Sequence, residues 1–118
     1  MNPRDIKEYA IVWTDNKSQP IFVGDFRNVA LSIVGTGTVS VQATTAKDVV
    51  DFTTASTITN SYATVVLADL TVASTYATSL AVSSSTKLAE VNTNLITWIS
   101  LTRSEDTVDC IVTLSDNS

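Results

Sequence analysis

Histidine is missing from this 118-residue chain. Its absence removes Ser-His and Cys-His nucleophile pairs, and every imidazole metal site, at once. Cysteine occurs once, as Cys110, so no internal disulfide can form. Basic side chains are scarce: seven Lys and Arg against twelve Asp and Glu, for a net charge of −5. The seven (Arg4, Lys7, Lys17, Arg27, Lys47, Lys87, Arg103) stand singly along the chain. Neutralising nucleic-acid phosphates needs clustered Lys and Arg, so nucleic acid is not an expected partner. No stretch approaches the roughly 20 apolar residues of a membrane-spanning helix, and no membrane partner is expected. The opening MNPRDIKEY is charged and lacks the apolar centre of a signal peptide.

What the chain does have is hydroxyl groups. It carries 14 Ser and 19 Thr, scattered among Val, Ile and Ala. Threonine is β-branched and suits a pleated, half-exposed surface. The even scatter points to strands, not to a low-complexity stalk. At 44% hydrophobic and 16% charged residues, the composition is that of one folded domain able to bury a core without metals or disulfides. Cys110 sits in the apolar run VDCIVTL, which marks a buried core thiol and is compatible with a reducing cytoplasm.

Residues 1–8 are polar, with Pro3 and charges at Arg4, Asp5, Lys7 and Glu8, and read as an extended arm. The rest, 9–118, reads as a single domain. Tyr9 to Trp13 is a short strand closed by the turn-rich TDNKS, and Ile21-Phe22-Val23 is a second. In FRNVALSIVGTGTVSVQA, Val29, Leu31, Ile33, Val39 and Val41 share one face. The alternation predicts a hairpin reversing at Gly35-Thr36-Gly37, because a tight turn needs positive φ. Tyr62–Leu70 is a strand candidate. Residues 71–86 read as a long loop, and a helix over 63–82 is disfavoured by its β-branched and hydroxyl residues. A second hairpin is predicted from Leu95–Thr102, a turn at Arg103-Ser104-Glu105-Asp106, and a return strand. On that return, Val108, Cys110, Val112 and Leu114 alternate with Asp109, Ile111 and Thr113. The expected fold is all-β: an antiparallel β-sandwich or jelly-roll-like barrel of about seven to eight short strands.

Chemistry is thin. Asp48 with Asp51, and Glu105, Asp106 and Asp109, are the available carboxylate groupings. A glycosidase needs two carboxylates from separated segments facing one cleft, and nothing pairs these over a solvated turn. A calcium site at Glu105, Asp106 and Asp109 lacks the glycine-punctuated ligand loop. No catalytic residue, cofactor or metal site is assigned, and an enzyme is not expected. Trp98 and Ile96 lie on the second face of an otherwise buried strand and mark an apolar contact patch.

The segment FRNVALSIVGTGTVSVQA, the Thr/Ser-rich middle and NTNLITWISLTRSEDTVDCIVTLSDN together resemble small β-sandwich virion proteins of tailed bacteriophages, and most of all head decoration (cement) proteins. The resemblance covers residues 20–116. It implies a non-catalytic protein on the outer surface of the head, made in the host cytoplasm, bound to the major capsid protein and self-associated, often as a trimer. Interface candidates are Arg4, Asp5, Ile6 and Lys7 of the arm, with Ile96 and Trp98. The alternatives are another virion component (tail, neck or fibre) and a carbohydrate-binding or adhesin module.

Overall fold

The computed structural model of the chain describes residues 6–72, 75–92 and 94–115. Its strands are β1 (Ile6–Ala10), β2 (Trp13–Thr14), β3 (Lys17–Ser18), β4 (Ile21–Phe22), β5 (Asn28–Thr44), β6 (Ala63–Val65), β7 (Leu67–Asp69), β8 (Thr75–Ala77), β9 (Leu80–Val91), β10 (Trp98–Arg103) and β11 (Val108–Ser115). The fold is all-β and antiparallel, sandwich- to barrel-like, with no helix among the described residues. The described residues form eleven strands, more than the seven or eight expected, because six of them are pairings of only two or three residues.

The spine is β5, 17 residues long. The expected hairpin at Gly35-Thr36-Gly37 is absent: the chain runs straight through it. One edge of β5 pairs with β9, from Val29↔Val91 to Val39↔Leu80. The other edge pairs with β11 over its first half (Leu31↔Val112) and with β10 over its second (Leu101↔Val41). The second expected hairpin is therefore also absent. Strands β10 and β11 run in the same direction, end to end, along one edge of β5. Alternation alone cannot separate these cases. A three-residue hairpin would set Ile33 opposite Val39 and leave the same residues on one face.

Gly35 and Gly37 instead mark a corner. Both have positive φ (109° and 146°), the region that disfavours a side chain. Opposite Thr36, β9 inserts both Ser83 and Ser84, two residues against one, with Ser84 at φ 48°. On the other edge, residues 104–107 oppose 36–38, again one residue extra. Thr36 ties the three neighbouring segments together. Its N–H donates to Thr107 O at 3.0 Å, and its carbonyl accepts from Thr107 Oγ1 at 2.6 Å. Its Oγ1 accepts the N–H of Ser84 at 2.9 Å. Ser104 closes the next step, its Oγ accepting Thr38 N–H at 2.9 Å.

Because the sheet bends here, both halves of β5 direct the same face inward. Val29, Leu31, Ile33, Val39 and Val41 join Ile99, Leu101, Val108, Cys110, Val112, Leu114, Leu67 and Val91 in one buried cluster. All core residues read from the alternation are buried.

Several segments differ from expectation, among them Tyr9–Trp13, which divides between β1 and β2 with Ile11 and Val12 outside either. Residues 71–86 are not a loop, since they hold β8 and the start of β9. Tyr62–Leu70 divides into β6, paired to β5, and β7, paired to β9. Ile6, Lys7 and Glu8, read as arm, belong to β1, which pairs with β11 of the same chain from Ile6↔Ser115 to Ala10↔Ile111. The TDNKS turn is a two-residue hairpin between β2 and β3, with Asp15 and Asn16 both at positive φ.

Candidate interaction surfaces

The outer faces of the two half-sheets are treated differently. Over the second half of β5, the segment 45–62 folds back on the sheet. Thr44 Oγ1 donates to Ser61 O at 2.6 Å, and Thr97 Oγ1 to Ala46 O at 2.5 Å. Within the segment, Asn60 bridges to Asp51: the Asp51 N–H donates to Asn60 Oδ1 at 2.7 Å, and Asn60 Nδ2 donates to Asp51 O at 2.9 Å. Val50 and Phe52 are buried outside the main core, with Phe52 5.2 Å from the Tyr62 ring. Beneath lies a polar relay: Lys17 Nζ donates to Thr102 Oγ1 (3.0 Å), which donates to Gln42 Oε1 (2.6 Å).

Trp98 belongs to this side. It stands between Thr44 of β5 and Phe22 of β4, its ring edge-on to Phe22 at 5.1 Å. It is half-buried, and its indole nitrogen is buried without an acceptor. Ile96 is half-buried against the core. Lys7 sits over the Phe26 ring at 5.7 Å and shares with Phe22 a shallow cleft of about 250 Å³. The structure thus connects Lys7 to Trp98 through Phe22. Ile6 is exposed at the far end of β1, and Arg4 and Asp5 lie outside the described residues.

Over the first half of β5 no described segment covers the outer face. Across the strand order β8-β7-β9-β5-β11-β1 it presents Tyr76, Val66, Leu70, Leu88, Val34, Ile111 and Ile6, all substantially exposed. Ser32 lies between Leu88 on β9 and Ile111 on β11 in one cross-strand row. Its charged side chains are Glu8 and Glu90 in the row through Ala30, Asp109 beside Val34, and Arg27 in the cleft next to Glu90. The alternation had placed Val34 and Ile111 outward. Leu88 lies just past the 71–86 stretch read as a loop, where the sequence reading assigns no strand.

Polar groups elsewhere serve the fold. Asp69 pairs with Lys87 at 2.8 Å and accepts both the N–H and the hydroxyl of Thr71. These bonds to Lys87 and Thr71 hold its carboxyl down at about 2. Arg103 stacks over Trp13 at 4.4 Å and donates to Asn16 and to Val108 O. Of the carboxylates weighed for calcium, Asp109 turns Oδ1 to Trp13 Nε1 (2.9 Å) and the Cys110 N–H (2.8 Å). Among the described residues no three ligating groups converge. Cys110 is buried, and burial with the neighbouring Asp109 pushes its thiol up to about 12.

These features define an all-β sandwich whose described surface offers contact area and edges. No protein-family model matches the chain, and no curated protein matches it at a significant level. Among solved structures it is similar to the SPBc2 prophage-derived protein YomS. The TM-score is 0.69 over 98% of this chain and 96% of that one, at 11% identity. The two share a fold.

Proposed function

We propose that the chain is a non-enzymatic structural protein of a tailed-phage virion, a decoration (cement) protein on the outside of the head. One observation carries the reading: nearly the whole chain shares its fold with nearly the whole of a prophage-derived protein. The pattern of FRNVALSIVGTGTVSVQA and the C-terminal strands supports it from the sequence side. A decoration protein works by number. Many copies each bury modest area on a shell of major capsid protein, and the summed contacts resist internal pressure. Such a protein needs a rigid sandwich and apolar contact surface, and both are present here. On this reading Arg4, Asp5, Ile6 and Lys7, with Ile96 and Trp98, meet the capsid.

The test is a pelleting assay with purified protein and undecorated heads. Saturable co-sedimentation with heads, and none with glycan-coated beads, is the expected result. Gold-labelled antibody that marks tails and leaves heads bare would overturn the head assignment. Binding to glycans in place of heads would favour the adhesin alternative.

A further inference from the structure

The outer face over the first half of β5, which no described segment covers, brings Val34, Leu88 and Ile111 together, and we infer that it joins two copies of this chain face to face. The inference does not depend on the virion reading. Three observations carry it.

The first is the asymmetry of the two outer faces. The chain covers the face over the second half of β5 with residues 45–62, tied down at Thr44 and Thr97. It leaves the other face open, although Leu88, Val34 and Ile111 there are each exposed by close to half.

The second is area. Six strands at about 4.8 Å spacing, and seven residues along β5 at about 3.3 Å, give roughly 600 Å² in projection. Side-chain relief raises the accessible area toward the roughly 800 Å² per partner of a stable interface.

The third is composition and relief. The row through Ser32 carries Leu88 and Ile111 and no charge, and Val34 stands in the next row beside Asp109. Leu88 and Ile111 stand on either side of the small Ser32 and leave a trough along β5. Ridges beside a trough make a self-complementary surface, which a two-fold contact requires. Two sheets stacked about 10 Å apart are the ordinary way for such faces to be buried. Glu8, Glu90 and Asp109 stand in the rows to either side of the Ser32 row, so acidic groups approach one another across the contact and association strengthens as salt screens them.

Sedimentation equilibrium of the full chain at about 100 μM tests this. The expected result is a dimer that tightens between low and moderate salt. Leu88→Glu and Ile111→Glu should each weaken it by about tenfold or more, because the symmetric contact buries every new charge twice. Both sites are exposed in one copy, so the far-UV spectrum should stay that of the folded chain. Ile58→Glu, at a residue 97% exposed on the 45–62 segment, should leave association unchanged. Val34→Asp provides an independent variant should either of the first two fail to fold. A chain that stays monomeric at this concentration overturns the inference. So does a dimer indifferent to the Leu88, Ile111 and Val34 changes.

Discussion

At the scale of single residues, the corner of β5 sets the sharpest constraint. A Cβ on Gly35 would lie 2.2 Å from the carbonyl oxygen of Thr107, with φ at +109°. Backbone cannot yield as a side chain does. Gly35→Ala should cost about 3 kcal/mol or more, from strain and overlap together. At Gly37 the nearest atoms are side-chain ones, Val108 Cγ1 at 2.9 Å and Ser104 Oγ at 3.0 Å, so Gly37→Ala should cost less. Urea denaturation of the two variants checks the order. Reversed or equal losses would contradict the corner geometry.

Asp69 supplies a pH signature. Its folded pKa, about 2, lies below the ordinary 3.8. A carboxylate lowered on folding adds stability that is complete above about pH 4 and is lost as the pH falls toward 2. Asp69→Asn should therefore be less stable than the native chain at neutral pH, with the gap closing across that window. Chemical denaturation at pH 7, 4 and 2.5 measures it. The thiol of Cys110 is protonated at neutral pH and should react with a thiol reagent only as fast as the chain unfolds.

At the scale of elements, β1 is where expectation and structure part most clearly. Deleting residues 2–8 takes away Ile6, Lys7 and Glu8, three of the five residues of β1 that pair with β11. The deletion should lower the melting temperature by several degrees. A free arm would leave it unchanged. Within β5, Leu31→Ala should cost about 2–4 kcal/mol, the usual range for a buried Leu.

The inward residues of β5, β10 and β11 were legible, since period-two alternation reports which face is buried wherever strands pair. Pairing partners were not. The side of a strand on which its neighbour lies leaves no mark in alternation, so an in-line passage at Gly35–Gly37 looked like a reversal. Parity held the clue. In β5 the inward residues stay odd-numbered, from Val29 to Val41. In β9 they change from Leu80 and Val82 to Ala89 and Val91, and from β10 to β11 they change from Leu101 to Val108. Each change records the one extra residue beside Thr36. In β9 it also broke the alternation across SSST, so the first seven residues of the strand, 80–86, looked like part of a polar loop. The contact surface was half legible: Val34 and Ile111 could be placed outward, but only the sheet order brings Leu88 beside them.

At the scale of the whole molecule, one bent sheet surrounds one core, and every long strand touches β5. Amide exchange should therefore be slowest in β5, where both edges are bonded, and fastest in β8 and in β1, which lie at the margins. Exchange as slow in β8 as in β5 would show that the outer strands share the central cooperative unit. The bare face predicts a further difference between dilute and concentrated samples. Amides of β9 and β11 should gain protection with concentration, while those of β2 and β3 should not.

The two-sided pairing of β5 also bears on the order in which the protein is made. During synthesis β5 leaves the ribosome early, and β9 can dock on it once residue 91 has emerged. Its second edge must wait for residues 98–115. Until then a seventeen-residue strand keeps one row of N–H and C=O groups open, with Leu31, Ile33 and Val41 beside it only partly covered. Such an edge is the form in which chains pair with the wrong partner. The nascent protein is therefore most exposed to misassembly in the interval before residues 98–115 emerge, and the in-line pair β10–β11 is the seal of that edge.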